Sequence, residues 1–379
     1  MSSPPKIEIT LSKTGSIFNN ITLVEEIDIN QLDALINSQL LQDKFDLTNH
    51  TQKMASQLYA NEKHQLTEYR KKYDKKTNKI NINYKKSRHG IGRTYCDKSL
   101  GLTAFPKKTR NALIKNTHKD FDIINAQPAI IENICLSNNI LCNFITQYNN
   151  NREDILQQVM NKYNVLRKSA KSLFIRLAFF GTFAGWCINN NLSIETECMP
   201  FITSFTTQLN AIAETVKIHN LSLYEIARKS KTDKNETNII GSFFALYLQE
   251  HETRIMECCY LYLKDKTNIL KNNVLTYEFD GFKILSKSVE EHGGDELLIE
   301  QLQNVVLNTL GFDIKFEVKP ITEYHEVEYE PFVFVAPPTI EELKQKALLL
   351  QEDKNRLKQE SIESRLREDN ARTVRENIR

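Results

Sequence analysis

The sequence predicts an α+β protein in which a small antiparallel sheet is flanked by long helices. Two observations carry this. Short apolar segments bounded by turn residues read as strands at Lys119 to Ile124, within Asn273 to Leu285, and at Asp313 to Val318. Apolar residues at helical spacing fill most of residues 151–235 and the stretch from Gly241 to Lys264.

The elements follow in order. Residues 1–30 read as extended or weakly ordered chain. Ile29 to Leu41 and Gln52 to Lys72 then show apolar residues at helical spacing. A basic loop follows these two helices, and Gly90 to Pro106 is rich in turn residues. The strand Lys119 to Ile124 carries Asp122 near its exit. The helix from Pro128 to Ser137 has Pro where a missing N–H does no harm. Asn273 to Leu285 reads as two short strands meeting at a tight turn supplied by Gly281. Glu296 to Leu310 is amphipathic, and Asp313 to Val318 alternates like an edge strand. After Pro337 and Pro338 the chain has no further Gly or Pro. Thr339 and Glu342 form a capping box there, ahead of a highly charged helix marked by Leu343, Ala347, Leu350, Leu357 and Leu366.

Composition excludes several classes. The 379 residues are 40% hydrophobic and 26% charged, which rules out disorder throughout and suffices for one large core or two to three smaller ones. Eleven Gly and nine Pro rule out collagen-like or Pro-rich low complexity. The longest apolar candidate for a membrane span, Leu173 to Ile188, is broken by Arg176. The start, MSSPPKIEI, lacks the pattern of a signal peptide, so the expectation is an intracellular, reducing compartment, cytoplasm or nucleus, without membrane attachment. Seven cysteines with no two-residue gap fit buried small hydrophobes better than a zinc knuckle.

Charge is uneven. Between Glu62 and Arg93 eleven Lys or Arg face three acids, the footprint of a phosphate-binding surface that includes Lys85, Lys86 and Arg88. Two aspartates at predicted strand ends, Asp122 in FDIINAQP and Asp280 in YEFDGF, are flanked by apolar residues. One such Asp is commonly a turn cap. Two of them between helices suit a phosphoryl-transfer site in which a pair of magnesium ions, about 4 Å apart, is held by carboxylates. Arg167 and Lys171, four residues apart, share one helix face and would meet a triphosphate together.

The order of these segments resembles the polymerase domain of the family A DNA polymerases, the bacterial DNA polymerase I group, and more distantly the phage-type single-subunit RNA polymerases. Gly92-Arg93-Thr94, then LGLTAFPKKTRNALI and FDIINAQP, is similar to the family's approach to its first metal-binding aspartate. RKSAK from Arg167 to Lys171, ending in Phe180-Gly181, resembles the fingers helix. TNIIGSFFALYLQEHETRIM with NNVLTYEFDGFKIL resembles the long palm helix and the turn bearing the second aspartate. IKFEVKPITEY resembles the last strand. The resemblance covers Gly90 to Tyr324.

It implies a right-hand fold with an antiparallel palm sheet, helical fingers and a short helical thumb. The expected divisions are 1–83 for the N-terminal segment and thumb, 84–131 and 235–336 for the palm, 132–234 for the fingers, and 337–379 for the charged tail. Asp122 and Asp280 would hold two Mg2+, with Mn2+ as a substitute. Arg167, Lys171 and Phe180 would bind the incoming triphosphate, and Gln127 would be the gate against the ribose 2′-hydroxyl. Arg93 and Arg110, with Lys85, Lys86 and Arg88, would touch nucleic acid. The implied partners are a DNA primer-template, with RNA as the other possibility, and nucleoside triphosphates, with a protein partner on the tail.

The chain also departs from the family. The DNA-synthesising members carry Glu where this chain has Gln127, Phe279 replaces a His, and Gly281 replaces an acid. Asp120 rivals Asp122, and Phe179 rivals Phe180. The expected activity is DNA polymerisation by a compact enzyme of a virus or mobile element, processing weakly and sensitive to salt. An RNA polymerase or primase-like enzyme and an inactive nucleic-acid-binding palm stay open beside it.

Overall fold

Alternation with a period of two survives even inside the most basic stretch of the chain. In the computed structural model, which describes residues 6–9, 16–38, 40–41, 52–86, 90–97, 100–231, 238–270, 273–327, 344–345 and 348–360 (residues 52–61 by backbone alone), Ile80–Lys86 is strand β2. Ile80, Ile82 and Tyr84 are buried, whereas Asn81, Asn83 and Lys85 face solvent. It lies between β1 (Ile21–Glu25) and β3 (Thr94–Cys96) in a three-stranded antiparallel sheet, with Ile21 and Cys96 both opposite Tyr84. The basic loop expected here is therefore a sheet, and strand β2 runs across residue 83. Helices α1 (Ile29–Asn37) and α2 (Gln52–Lys71) pack on each other, joined by Arg70, whose Nε and Nη2 donate to Asp33 at 2.6 and 3.1 Å.

A short 3-10 turn and α3 (Lys107–Ile114) lead to β4 (His118–Ile123), an inner strand of the second sheet. That sheet has the order β5 (Thr276–Glu278), β6 (Gly281–Leu285), β4, β7 (Phe316–Lys319), all antiparallel. Register gives each face its character. Phe121 pairs with Phe282 and Val318, and the Phe121 and Phe282 rings stack at 6.0 Å on the core side. Asp122 pairs with Gly281 and Glu317, and Asp120 with Lys283 and Lys319, so the opposite face is charged.

Helices fill the space between the two halves of this sheet in sequence: α4 (Ala126–Ser137), α5 (Asn143–Asn150), α6 (Arg152–Tyr163), α7 (Arg167–Ala178), α8 (Phe183–Asn189), α9 (Pro200–His219), α10 (Leu221–Ser230) and α11 (Ile239–Asp265). Tyr148, Phe174 and Phe205 knit α5, α7 and α9 together, with Phe174 4.4 Å from Tyr148 and 5.4 Å from Phe205 between ring centroids. Helices α12 (Ser286–His292) and α13 (Asp295–Leu310) follow β6; α13 packs on α11 and β7.

The helix before the β5–β6 turn and the edge strand after Asp313 thus form where the sequence predicts them, within a few residues; the turn itself falls on Phe279 and Asp280, and Gly281, expected to supply it, is the first residue of β6. The seven cysteines are free thiols, five of them buried. Residues 330–379 form a separate unit, of which 348–360 is an exposed helix with Leu350 and Leu357 at its surface. Thr339, Glu342, Leu343, Ala347 and Leu366 lie outside the described residues. Among those described, no helix is long and apolar enough to cross a membrane.

Candidate active site

Pleating puts Asp122 on the charged face of the sheet, and the absence of a side chain at Gly281 makes room for it. A Cβ at Gly281 would stand 2.7 Å from Asp122 Oδ1 and 2.4 Å from the Phe121 carbonyl oxygen, closer than real contacts allow. Asp280 occupies the β5–β6 turn immediately before this glycine. Its carbonyl oxygen accepts from the Ile123 amide at 3.0 Å, which pins the turn to β4. Asp122 and Asp280 consequently line one cavity of about 260 Å³.

The chain passes from β4 into α4 through Asn125, whose φ of 56° is the left-handed geometry Asn tolerates. This tight passage sets Gln127 in the first turn of α4, also on the cavity. The facing wall is α7. Arg167 is its first residue, Lys171 lies one turn on, and Ile175 continues the same face. Arg152, from the start of α6, and Glu317 and Lys319, from β7, complete the charged lining.

The charges are interlocked. The Lys319 ammonium pairs with Asp122. Burial pushes the Asp280 carboxyl above its usual range, opposed by Arg93 and Lys171. Burial pulls Lys171 below the usual lysine range, and the neighbouring Arg152 and Arg167 add to this, while Asp280 and Glu317 oppose it. Arg167 makes a two-pronged ion pair with Glu153 at 2.6 and 2.9 Å on the exposed side. The Arg152 Nε is buried without a hydrogen-bond partner among the described residues. Sequence reading missed Arg152, Glu317 and Lys319. For β7 the signal was present, because alternation along FEVK puts Glu317 and Lys319 on one face.

Asp122, Asp280, Gln127, Arg167 and Lys171 are thus brought together. Other expected residues lie elsewhere. Helix α7 ends at Ala178, and Phe180 (φ 61°) turns away to meet Phe244 edge-on at 5.6 Å; Ile175 takes the place on the cavity wall expected of it. Arg93 pairs with Glu252, its Nε 3.1 Å from Oε2, and stands 4.4 Å over the Phe279 ring. Arg110 pairs with Glu278 at 2.8 Å. Lys86, expected on a nucleic-acid surface, is instead buried and donates to Glu250 at 2.6 Å, because its place in the β2 alternation points it inward. Lys85 faces solvent, and Arg88 lies outside the described residues.

Asp120, the rival of Asp122, faces the same side but is engaged by Lys283 Nζ at 2.8 Å. Lys283 also reaches Glu278 at 3.0 Å and is 1% exposed. Among the described residues no group of three or more His, Cys, Asp or Glu is placed to hold a metal. Two carboxylates alone line the cavity beside Glu317, with no His or Cys. Such a hard, sparse donor set fits magnesium, which takes one or two carboxylates and completes its shell with phosphate and water oxygens.

No family model matches the chain. A curated protein from Sputnik virophage named "Putative helicase V13" is 27% identical over 243 residues, covering 64% of this chain and 30% of that protein. The match therefore spans less than a third of the relative's length. Among solved structures, the POL domain of Pol1 from M. smegmatis, in complex with DNA primer-template and dNTP, is similar with a TM-score of 0.48 at 14% identity, over 74% of this chain and 54% of that one.

Proposed function

We propose that the chain catalyses template-directed nucleotidyl transfer, adding deoxynucleotides to a primer end on a DNA template. The observation that carries this is the meeting of Asp122 and Asp280, from β4 and from the β5–β6 turn, in one cavity with Arg167 and Lys171 of α7. In this reading Asp122 and Asp280 hold two magnesium ions, which would activate the primer 3′-hydroxyl and stabilise the leaving pyrophosphate. Mn2+ would substitute.

The residues of the chain do the rest. Arg167, Lys171 and Arg152 form a cluster of like charge; burial, with repulsion from the two arginines added, holds the Lys171 pKa low, and a polyanion would relieve both. Gln127 borders the sugar. The four-stranded sheet with α11 and α13 serves as palm, α5 to α10 as fingers, and α1 with α2 as a small thumb. Arg93, held on Glu252 through its Nε, would offer its remaining N–H groups to the primer-template; Arg110 would reach it once Glu278 yields it, and Lys85 offers an outer phosphate contact.

The name of the virophage protein raises a second reading, an ATP-driven helicase. The chain contains no Gly-x4-Gly-Lys-Ser/Thr phosphate loop, and the likeness covers 30% of that protein, so the name is not carried over. A virophage relative does fit a viral or mobile-element setting inside a host cell. Gly281, which stands where the family carries an acid, has a steric role beside Asp122 and so does not favour an inactive palm.

Single-nucleotide incorporation tests the reading. Lys171→Ala should raise the triphosphate KM by about tenfold or more, the loss of one charge-assisted contact. Unchanged KM and rate would contradict it.

A further inference from the structure

The geometry points to Glu252 as the positioning residue for sugar selectivity, acting by fixing the Gln127 side chain at the mouth of the nucleotide site. This rests on the polymerase reading of the cavity. Glu252 lies on α11, is fully buried, and does not itself line the cavity. Its carboxylate has two partners. Oε2 accepts from Arg93 Nε at 3.1 Å, and Oε1 accepts from the Gln127 amide nitrogen.

Donor and acceptor chemistry fixes what Gln127 can do. An ionised carboxylate only accepts, so Gln127 must turn its NH2 inward to Glu252 and leave its carbonyl oxygen for the cavity. Held from behind, the side chain cannot swing aside, and a nucleotide with a hydroxyl at the 2′ position meets an occupied place. Burial pushes the Glu252 carboxyl above its usual range, and Arg93, clamped between Glu252 and the Phe279 ring, opposes this and favours the ionised form. The same pairing accounts for an uncharged gate. A Glu at position 127 would put two carboxylates in contact in a buried setting, and one would have to take up a proton.

The test is the ratio of kcat/KM for deoxynucleotide over ribonucleotide, measured for the wild type, Glu252→Gln, Gln127→Glu and the double exchange. Each single change should lower the ratio by about tenfold, the value of one charge-assisted hydrogen bond, and the double exchange should restore most of it. Gln127→Met keeps the bulk but cannot donate, so it should lose discrimination too, and it carries the test if Glu252→Gln does not fold. An unmoved ratio in Glu252→Gln or Gln127→Met, with incorporation intact, overturns this inference alone. So does a double exchange no better than the worse single change. A wild type that incorporates neither sugar overturns the polymerase reading and this inference with it.

Discussion

Gly281 stands directly across the β4–β6 ladder from Asp122, and the space where its side chain would be is taken by the Asp122 carboxylate. Gly281→Ala should therefore displace Asp122 or open the ladder. Since misplacement of a reacting group by about 1 Å costs on the order of a hundredfold, incorporation should fall by about that factor. Primer extension at saturating nucleotide checks this, and wild-type activity would show that Asp122 does not need the space.

Lys283 should matter for stability. It is buried between Asp120 and Glu278, at 2.8 and 3.0 Å, so Lys283→Met takes the ion pair from Asp120 and leaves Glu278 to Arg110 alone, and should cost about 3–5 kcal/mol. Lys287→Ala, at an exposed site, should stay within about 0.5 kcal/mol. Urea denaturation of both variants makes the comparison.

His251 should make the fold sensitive to acid. It is buried between Tyr247 and Phe312, neither ring nitrogen has a partner among the described residues, and burial with the nearby Arg254 lowers its pKa from 6.5 to about 3. Between those values the unfolded chain binds the proton and the folded one does not, so stability is lost as pH falls from 6.5 towards 3. At pH 5 the loss is about 2 kcal/mol. His251→Phe should remove it, so the urea midpoint of the variant should drop less than the wild type's between about pH 7.5 and pH 5. Glu25, raised to about 7 by burial, works in the opposite sense in both proteins and cancels from the comparison.

The site was legible in sequence where chemistry and secondary structure coincide. Asp122 and Asp280 sit at strand ends flanked by apolar residues, and Arg167 and Lys171 declare a helix face by spacing alone. The β1–β2–β3 sheet was hidden because ININYKK lies inside the most basic stretch, where charge masked the alternation of Ile80, Ile82 and Tyr84 with Asn81, Asn83 and Lys85. Phe180 is absent from the cavity lining because helix α7 stops at Ala178 and a left-handed step follows, with no breaker residue before it to mark the end. Glu252 could not have been found, since its role depends on contacts with Arg93 and Gln127 across more than a hundred residues of chain.

Extension of a labelled primer on a DNA template with magnesium, run for the wild type beside Asp280→Asn, tests the central claim most directly. The wild type should add the nucleotides the template specifies, and Asp280→Asn should add none. Extension that persists in Asp280→Asn, or a wild type that binds primer-template and adds nothing, would contradict it.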